Sequence, residues 1–177
     1  MKVILVAALS LDGFITRHDE PGSRFTSEAD RRHLRRILPE FDCCVFGSET
    51  YRVSKNWMRK HLMPDKLRVG LTRNPEDYAG EAIPGSLEFS SAEPGELVQD
   101  LRSRGLASCA LLGGGIIYSL FLEAGCVDEL WVTLEARLFG AGTPFCPGKF
   151  DISLELISHE SLGDNALLLK YRRIGSE

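Results

Sequence analysis

The chain has 177 residues, 44% of them hydrophobic, and a formal net charge of −4. That length suits one domain, 1–177, with a sizeable core and is short for two. The acidic balance, with no basic stripe interleaved with aromatics, argues against nucleic acid as a partner, and no stretch nears the roughly 18 apolar residues of a membrane span.

Taken in order, Val3 to Leu9 reads as a buried first strand. It is too short for a secretion signal and runs into Ser10-Leu11-Asp12-Gly13 without a small-residue cleavage pattern, so a cytoplasmic location is expected. A polar loop follows from Asp12 to Thr26, long enough to suggest a functional segment such as a lid. Ser27-Glu28-Ala29-Asp30 predicts a helix start, with Ser27 as N-cap and Asp30 reaching back to it. Leu34, Ile37 and Leu38 form the expected apolar stripe, Pro39 stops the helix, and Arg31, Arg32, Arg35 and Arg36 with His33 make a solvated face.

Phe41 to Phe46 is the second predicted strand, and Gly47-Ser48-Glu49-Thr50-Tyr51 leads into a short helix. Leu67 to Leu71 and Leu87 to Phe89 are further strands, closed by Thr72-Arg73 and Ser90-Ser91. A helix over Glu96 to Arg104 ends at Gly105. Cys109 to Leu112 then reads as a buried strand that stops at Gly113-Gly114-Gly115, beyond which Ile116, Ile117, Leu120 and Phe121 recur at helical spacing. Glu129 to Leu134 is a strand, and Leu154 to Ser161 with Ala166 to Arg173 flank Gly163-Asp164-Asn165 as an antiparallel hairpin. The whole predicts an α/β fold: a three-layer αβα sandwich on a mostly parallel central sheet with an antiparallel C-terminal hairpin.

Three glycines between a strand and a helix remove every Cβ from the turn. They are either tight-turn punctuation or a phosphate cradle of bare N–H groups at the positive end of a helix. No Lys-Ser/Thr pair follows, and no GxGxxG lies near the first strand, so neither a P-loop nor a Rossmann fingerprint is present. In parallel sheets ligands bind beyond the carboxyl ends of the strands, where the Gly47, Thr72-Arg73 and Gly113 turns fall. Arg73 is either a solvent-exposed loop residue or a partner for the 2′-phosphate that separates NADP from NAD. The five cysteines carry neither CxxC nor paired His spacing, so no metal site or disulfide framework is expected. His18, His33, His61 and His159 read as surface residues, and Asp12 is either a turn cap or the proton donor of a cleft, the latter requiring a raised pKa.

Ala8-Leu9-Ser10-Leu11-Asp12-Gly13-Phe14-Ile15, Thr26 to Arg31, Val45 to Tyr51, the glycine triplet, Val127-Asp128-Glu129-Leu130 and Phe139-Gly140-Ala141-Gly142 occur in an order that resembles the RibD C-terminal family. That family comprises the reductases of bacterial riboflavin biosynthesis, and it shares the dihydrofolate reductase fold. The resemblance implies an NADPH-dependent reductase, generally a homodimer. It implies that Gly47, Ser48, Thr50, Tyr51 and Gly113, Gly114, Gly115 hold the cofactor pyrophosphate, and that Thr72 and Arg73 take the 2′-phosphate. Ile116, Ile117 and Tyr118 would continue the cofactor contact, while Ser10, Asp12 and Gly13 would border the substrate cleft. Leu112 stands where the riboflavin reductases carry an acid, and Val53 to Met58 replaces their Asp-Pro and Leu-Thr-x-Arg segment. The expected activity is therefore reduction of a small heterocycle other than the riboflavin precursor. A dihydrofolate or pterin reductase and a catalytically silent NADP-binding homodimer are the alternatives.

Overall fold

The computed structural model describes residues 1–63 and 65–175. Its strands are β1 (Lys2–Ser10), β2 (Cys43–Gly47), β3 (Leu67–Leu71), β4 (Leu87–Ser90), β5 (Ser108–Leu111), β6 (Glu129–Glu135), β7 (Leu154–Gly163) and β8 (Ala166–Arg173). The α-helices are α1 (Glu28–Ile37), α2 (Ser48–Lys60), α3 (Pro94–Ser103) and α4 (Gly115–Glu123). One sheet runs in the order β4-β3-β2-β5-β1-β6-β8-β7. All pairs from β4 to β6 are parallel, and β8 joins β6 and β7 antiparallel.

Both faces of the parallel part are covered, which is why β1 reads as an unbroken apolar run. Val3, Leu5, Ala7 and Leu9 pack with Leu97 and Leu101 of α3 and Phe121 and Leu122 of α4. On the other face Ile4 and Ala110 lie under Ile37 and Phe41, and Phe46 packs with Tyr51 and Met58 of α2. The hairpin turns at Asp164 and Asn165, both with positive φ, the geometry that favours two-residue hairpins. No helix among the described residues is long and apolar enough to cross a membrane.

Three local expectations are corrected. The helix after Gly47 is not short: it runs thirteen residues. Its buried positions are Tyr51 and Met58, two turns apart on one face, and the polar residues between them hide the stripe. Ser27 does cap α1, accepting from the Asp30 amide at 3.2 Å. The reciprocal half of the capping box is absent, however, because the Ser27 N–H donates to Oε1 of Glu135 at 2.8 Å. The buried face of α1 is Ala29, Asp30, His33 and Ile37, with Leu34 and Leu38 half-buried. His33 is therefore an interior residue, 5% exposed, because α1 lies against β7. The arginines of α1 do face solvent, and Arg31 and Arg35 both pair with Glu28.

Candidate functional site

Because β3, β2, β5, β1 and β6 are parallel neighbours, their carboxyl ends share one edge of the sheet. Along that edge stand Thr72-Arg73, Gly47 to Thr50, Gly113 to Gly115, Ser10 to Gly13 and Glu135 to Arg137, in that order. The middle two turns are joined directly: the Gly47 N–H donates to the Gly113 carbonyl at 2.7 Å and the Leu112 N–H to the Val45 carbonyl at 2.8 Å.

The three glycines are required for different reasons. Gly113 has φ +83°, and a Cβ there would stand 2.5 Å from the Tyr118 ring. A Cβ on Gly115 would meet the Pro144 carbonyl oxygen at 2.5 Å. Gly114 has an ordinary φ of −75°, and its Cβ would find only Ile15 at 3.7 Å and the Thr50 hydroxyl at 3.8 Å. A Cβ at Gly114 meets only ordinary contacts, so its absence leaves the turn more open than packing requires. Gly47 caps α2 and Gly114 caps α4, neither through a side chain. Two helix N-termini with unfilled N–H groups thus converge on one spot, an arrangement suited to an anion.

Arg73 is exposed, and Thr72 Oγ1 accepts from the Asn74 amide at 3.3 Å. Ile116 is exposed, and Ile117 lies against Gly47. The two tyrosines expected at the cofactor have their side chains committed elsewhere. Tyr51 donates to Glu81 at 2.7 Å and Tyr118 to the Val6 carbonyl at 2.7 Å, and both rings are buried, leaving only main chain for the edge.

Ser10, Asp12 and Gly13 tie two loops together. Ser10 Oγ accepts from Phe14 N at 3.0 Å, and the Gly13 carbonyl accepts from Phe145 N at 3.0 Å. The exposed Asp12 carboxylate accepts from Phe139 N at 3.0 Å and Gly140 N at 2.7 Å. Hydrogen bonds from the Ser10 hydroxyl and then the Gly140 amide hold its pKa below the ordinary value. These bonds make Asp12 an anchor between the two loops, whereas a proton donor would call for a raised pKa. The polar loop is pinned further by Ile15 N to the Thr143 carbonyl and His18 N to the Ala141 carbonyl. At its far side Gly22 approaches Val53 of α2 so closely that a Cβ would stand 2.8 Å from it.

On the face opposite α3 and α4, Ile37 of α1 packs on Ile4 of β1 and Ala110 of β5, while α2 packs on β2 and β3. Towards the carboxyl edge, Val6, Ala8 and Leu112 are left half-buried on this face. Val6 and Leu112 pack against the Ile4, Ile37, Phe41 and Ala110 cluster, and Leu112 leads directly into the glycine turn. Asp30 is on the buried face of α1. Asp30 is 8% exposed and its carboxyl is near Thr133, the in-register neighbour of Ala8. Burial raises its pKa, and the nearby Glu135 raises it further against the Thr133 hydrogen bond. Sequence reasoning missed this acid because the S-x-x-D pattern explains it as a cap. The signal available was its spacing with His33 and Ile37, at i, i+3 and i+7, which puts it on the inward stripe of the helix.

A family model, that of the RibD C-terminal domain, matches residues 1–168. The uncharacterized protein YwjB of Bacillus subtilis (strain 168) is 26% identical over 148 residues, 81% of each chain. The crystal structure of a diaminohydroxyphosphoribosylaminopyrimidine deaminase/5-amino-6-(5-phosphoribosylamino)uracil reductase from Thermotoga maritima aligns with a TM-score of 0.79 at 19% identity, over 98% of this chain and 56% of that one. Dihydrofolate reductase from Enterococcus faecalis, complexed with NADP(H) and RAB-propyl, aligns with a TM-score of 0.68 at 18% identity, over 98% and 97%. The fold is thus that of the riboflavin-type reductase domains and of dihydrofolate reductase.

Proposed function

Because this chain belongs to the RibD C-terminal domain family, we propose that it is an NADPH-dependent reductase of a small heterocyclic substrate, acting as a cytoplasmic homodimer. One observation carries the reading: α2 and α4 begin side by side without side-chain caps around Gly114, whose missing Cβ leaves the amides approachable. Gly47, Ser48, Thr50 and Gly113 to Gly115 would hold a pyrophosphate there through N–H groups and hydroxyls. Thr72 and Arg73, two strands away on the same edge, would take the 2′-phosphate. When bound, the cofactor supplies the hydride.

The chain's own contribution is orientation, exclusion of water and a proton. The half-buried floor of Val6, Ala8 and Leu112 would seat a flat ring beside the glycine turn, and the Asp12 to Thr26 loop would exclude water over it. A C=N or C=O acceptor needs a proton as well as a hydride. Asp30 is the buried carboxyl of α1 whose surroundings favour holding one. Leu112 is apolar, and Lys55, the one cation of Val53 to Met58, is paired with Glu81, so these positions would replace the acid and the Asp-Pro segment of the riboflavin reductases poorly. We expect turnover of the aminouracil ribose phosphate to be lower by a factor on the order of a hundred to ten thousand, from two lost charge-assisted contacts.

The test is NADPH and NADH titration followed by NADPH oxidation against a panel of pterins, folates and pyrimidines, with the aminouracil phosphate included. Preferential NADPH binding with oxidation by one member supports the reading. Equal affinity for the two cofactors overturns the NADPH assignment, and efficient reduction of the aminouracil phosphate overturns the substrate assignment. Tight NADPH binding with no oxidation by any member favours the silent binder.

A further inference from the structure

Tyr51 lies in the first turn of α2, directly after Thr50, and is buried. Its ring meets Phe89 and Tyr78 edge-on at 5.0 and 6.0 Å, and Tyr78 stacks on Phe89 at 4.6 Å. Gly70 of β3 makes room for this cluster, since a Cβ there would stand 2.6 Å from the Phe89 ring. The Tyr51 hydroxyl donates to Oε2 of Glu81 at 2.7 Å. Two more donors of α2 reach the same residue: Lys55 Nζ pairs with Oε1, and Arg59 Nη1 donates to the Glu81 carbonyl at 2.9 Å and stands 3.4 Å from Oε2. Tyr51, Lys55 and Arg59 are spaced i, i+4 and i+8, so one stripe of the helix converges on one carboxylate. Glu81 itself belongs to the segment that leaves β3 through Thr72 and Arg73. From Asn74 to Glu81 the chain is a series of tight turns, in which Asp77 N donates to the Asn74 carbonyl, Ala79 N to that of Glu76 and Glu81 N to that of Tyr78. Arg73 is exposed, and among the described residues it has no ion pair to hold it.

We propose that Glu81 is a positioning residue for the cofactor: by tying the segment after Arg73 to the first turn of α2, it sets the spacing between the 2′-phosphate arm and the pyrophosphate amides. This rests on the reductase reading of those two turns and adds what holds them in register. The two phosphate groups of one dinucleotide have a limited span, and an arginine on an untied loop would lose part of its contact energy to being ordered when the ligand arrives. The tie moves that ordering into folding. The carboxylate of Glu81 is turned to α2, so its influence on a ligand passes through the segment that carries Arg73. The α2 amides are fixed by their own helix. Release of the tie therefore falls on NADPH, which carries the 2′-phosphate, and spares NADH.

The experiment has two readouts on the full chain. Without cofactor, Glu81→Ala is expected to speed amide exchange at Asp77, Ala79 and Glu81's successor turn at Ala82, whose N–H groups close the turns, and to leave Val69 of β3 unchanged. With cofactor, the same variant is expected to bind NADPH about tenfold more weakly and NADH as before. In a double-mutant cycle with Arg73→Ala the two losses are expected to be strongly non-additive, because one acts through the other. Glu81→Gln also removes the charge facing Lys55 and Arg59 but keeps an oxygen for the Tyr51 hydroxyl, so it is expected to recover most of the NADPH affinity. If Glu81→Ala does not fold, Tyr51→Phe takes its place in both readouts, with a smaller loss in the same direction. Unchanged exchange, equal weakening of both cofactors, or additive losses in the cycle overturns the proposal. Failure of the reductase reading looks different: wild-type protein that binds NADPH no better than NADH ends the cofactor role of Glu81 together with that of Arg73, and faster exchange in Glu81→Ala would still show the tie.

Discussion

Gly113, Gly114 and Gly115 are adjacent in the chain and separable by experiment. A Cβ at Gly114 meets ordinary contacts at an ordinary φ, so Gly114→Ala is expected to fold with little change in melting temperature and the bulkier Gly114→Val to lose NADPH. Gly113→Ala places a Cβ against Tyr118 at positive φ, and Gly115→Ala presses on a backbone carbonyl. Both are expected to cost about 1–3 kcal/mol of stability, roughly 2–4 °C per kcal/mol in a chain of this size. A Gly114→Val variant that binds NADPH normally would refute the cradle. At the far end of the proposed cofactor, Arg73→Ala is expected to weaken NADPH by about tenfold to a hundredfold, the worth of one charge-assisted contact of about 1.5–3 kcal/mol, and to leave NADH unchanged. Calorimetric titration of both cofactors reads this directly.

On the inward face of α1, Asp30 and His33 pull the pH dependence in opposite directions. The Asp30 pKa is raised by burial. Folded protein therefore holds a proton that unfolded chain has released, and stability falls as pH rises from about 4 through the raised value. The His33 pKa is lowered by burial first and then by Arg36 and Lys170, and its Nε2 has no hydrogen-bond partner. Unfolded chain binds that proton first, so stability falls as pH drops below about 6.5. Asp30→Asn is expected to raise the neutral-pH melting temperature while lowering turnover by about 10²–10⁴-fold, the usual worth of a general acid. His33→Leu is expected to flatten the loss below about pH 6.5. Melting curves from pH 4 to 8 check both signs, and an unaltered slope in either variant would contradict its assignment.

At the scale of elements, the two loops beyond β1 and β6 behave as one body, because Asp12 accepts amides from Phe139 and Gly140. Its lowered pKa means that the bonds persist well into acid and loosen only as the carboxylate is protonated. Asp12→Ala is expected to speed amide exchange at Phe139 and Gly140 at neutral pH without changing exchange in β1. Unchanged exchange there would show that the loops hold without it. Legibility in the sequence followed how local each cause was. Strands with continuous apolar runs, helix ends with Gly or Ser, and the Asp164-Asn165 turn were readable because their reasons lie within a few residues. The glycine triplet was readable as a turn, but the separate reasons for Gly113 and Gly115 lie at Tyr118 and at the distant Pro144. The tie between Glu135 and the first turn of α1 was invisible because Ser27 and Glu135 are 108 positions apart. The length of α2 was missed because its stripe is mostly polar.

The whole molecule leaves one sheet face without a layer. The helices α3 and α4 cover the parallel strands, whereas beyond β6 the same face carries Leu134, Leu167, Leu169, Tyr171, Leu154 and Leu156 on three neighbouring strands. Leu154, Leu156 and Leu167 are each more than a third exposed. Such a contiguous apolar patch marks an interface more often than a free surface, and a twofold homodimer is the commonest closed assembly. An interface on this face would bury the patch against its own copy and leave the glycine turns at the carboxyl edge uncovered in both protomers. Light scattering at micromolar concentration is expected to return twice the chain's 19.6 kDa. Leu156→Glu would then place two carboxylates near the twofold in an apolar contact, where desolvating each charge costs several kcal/mol. The variant is expected to run as a folded monomer, since Leu156 is 49% exposed within one chain and contributes little to its core. A wild type that scatters as a monomer, or a Leu156→Glu variant that remains dimeric, would move the interface off this face.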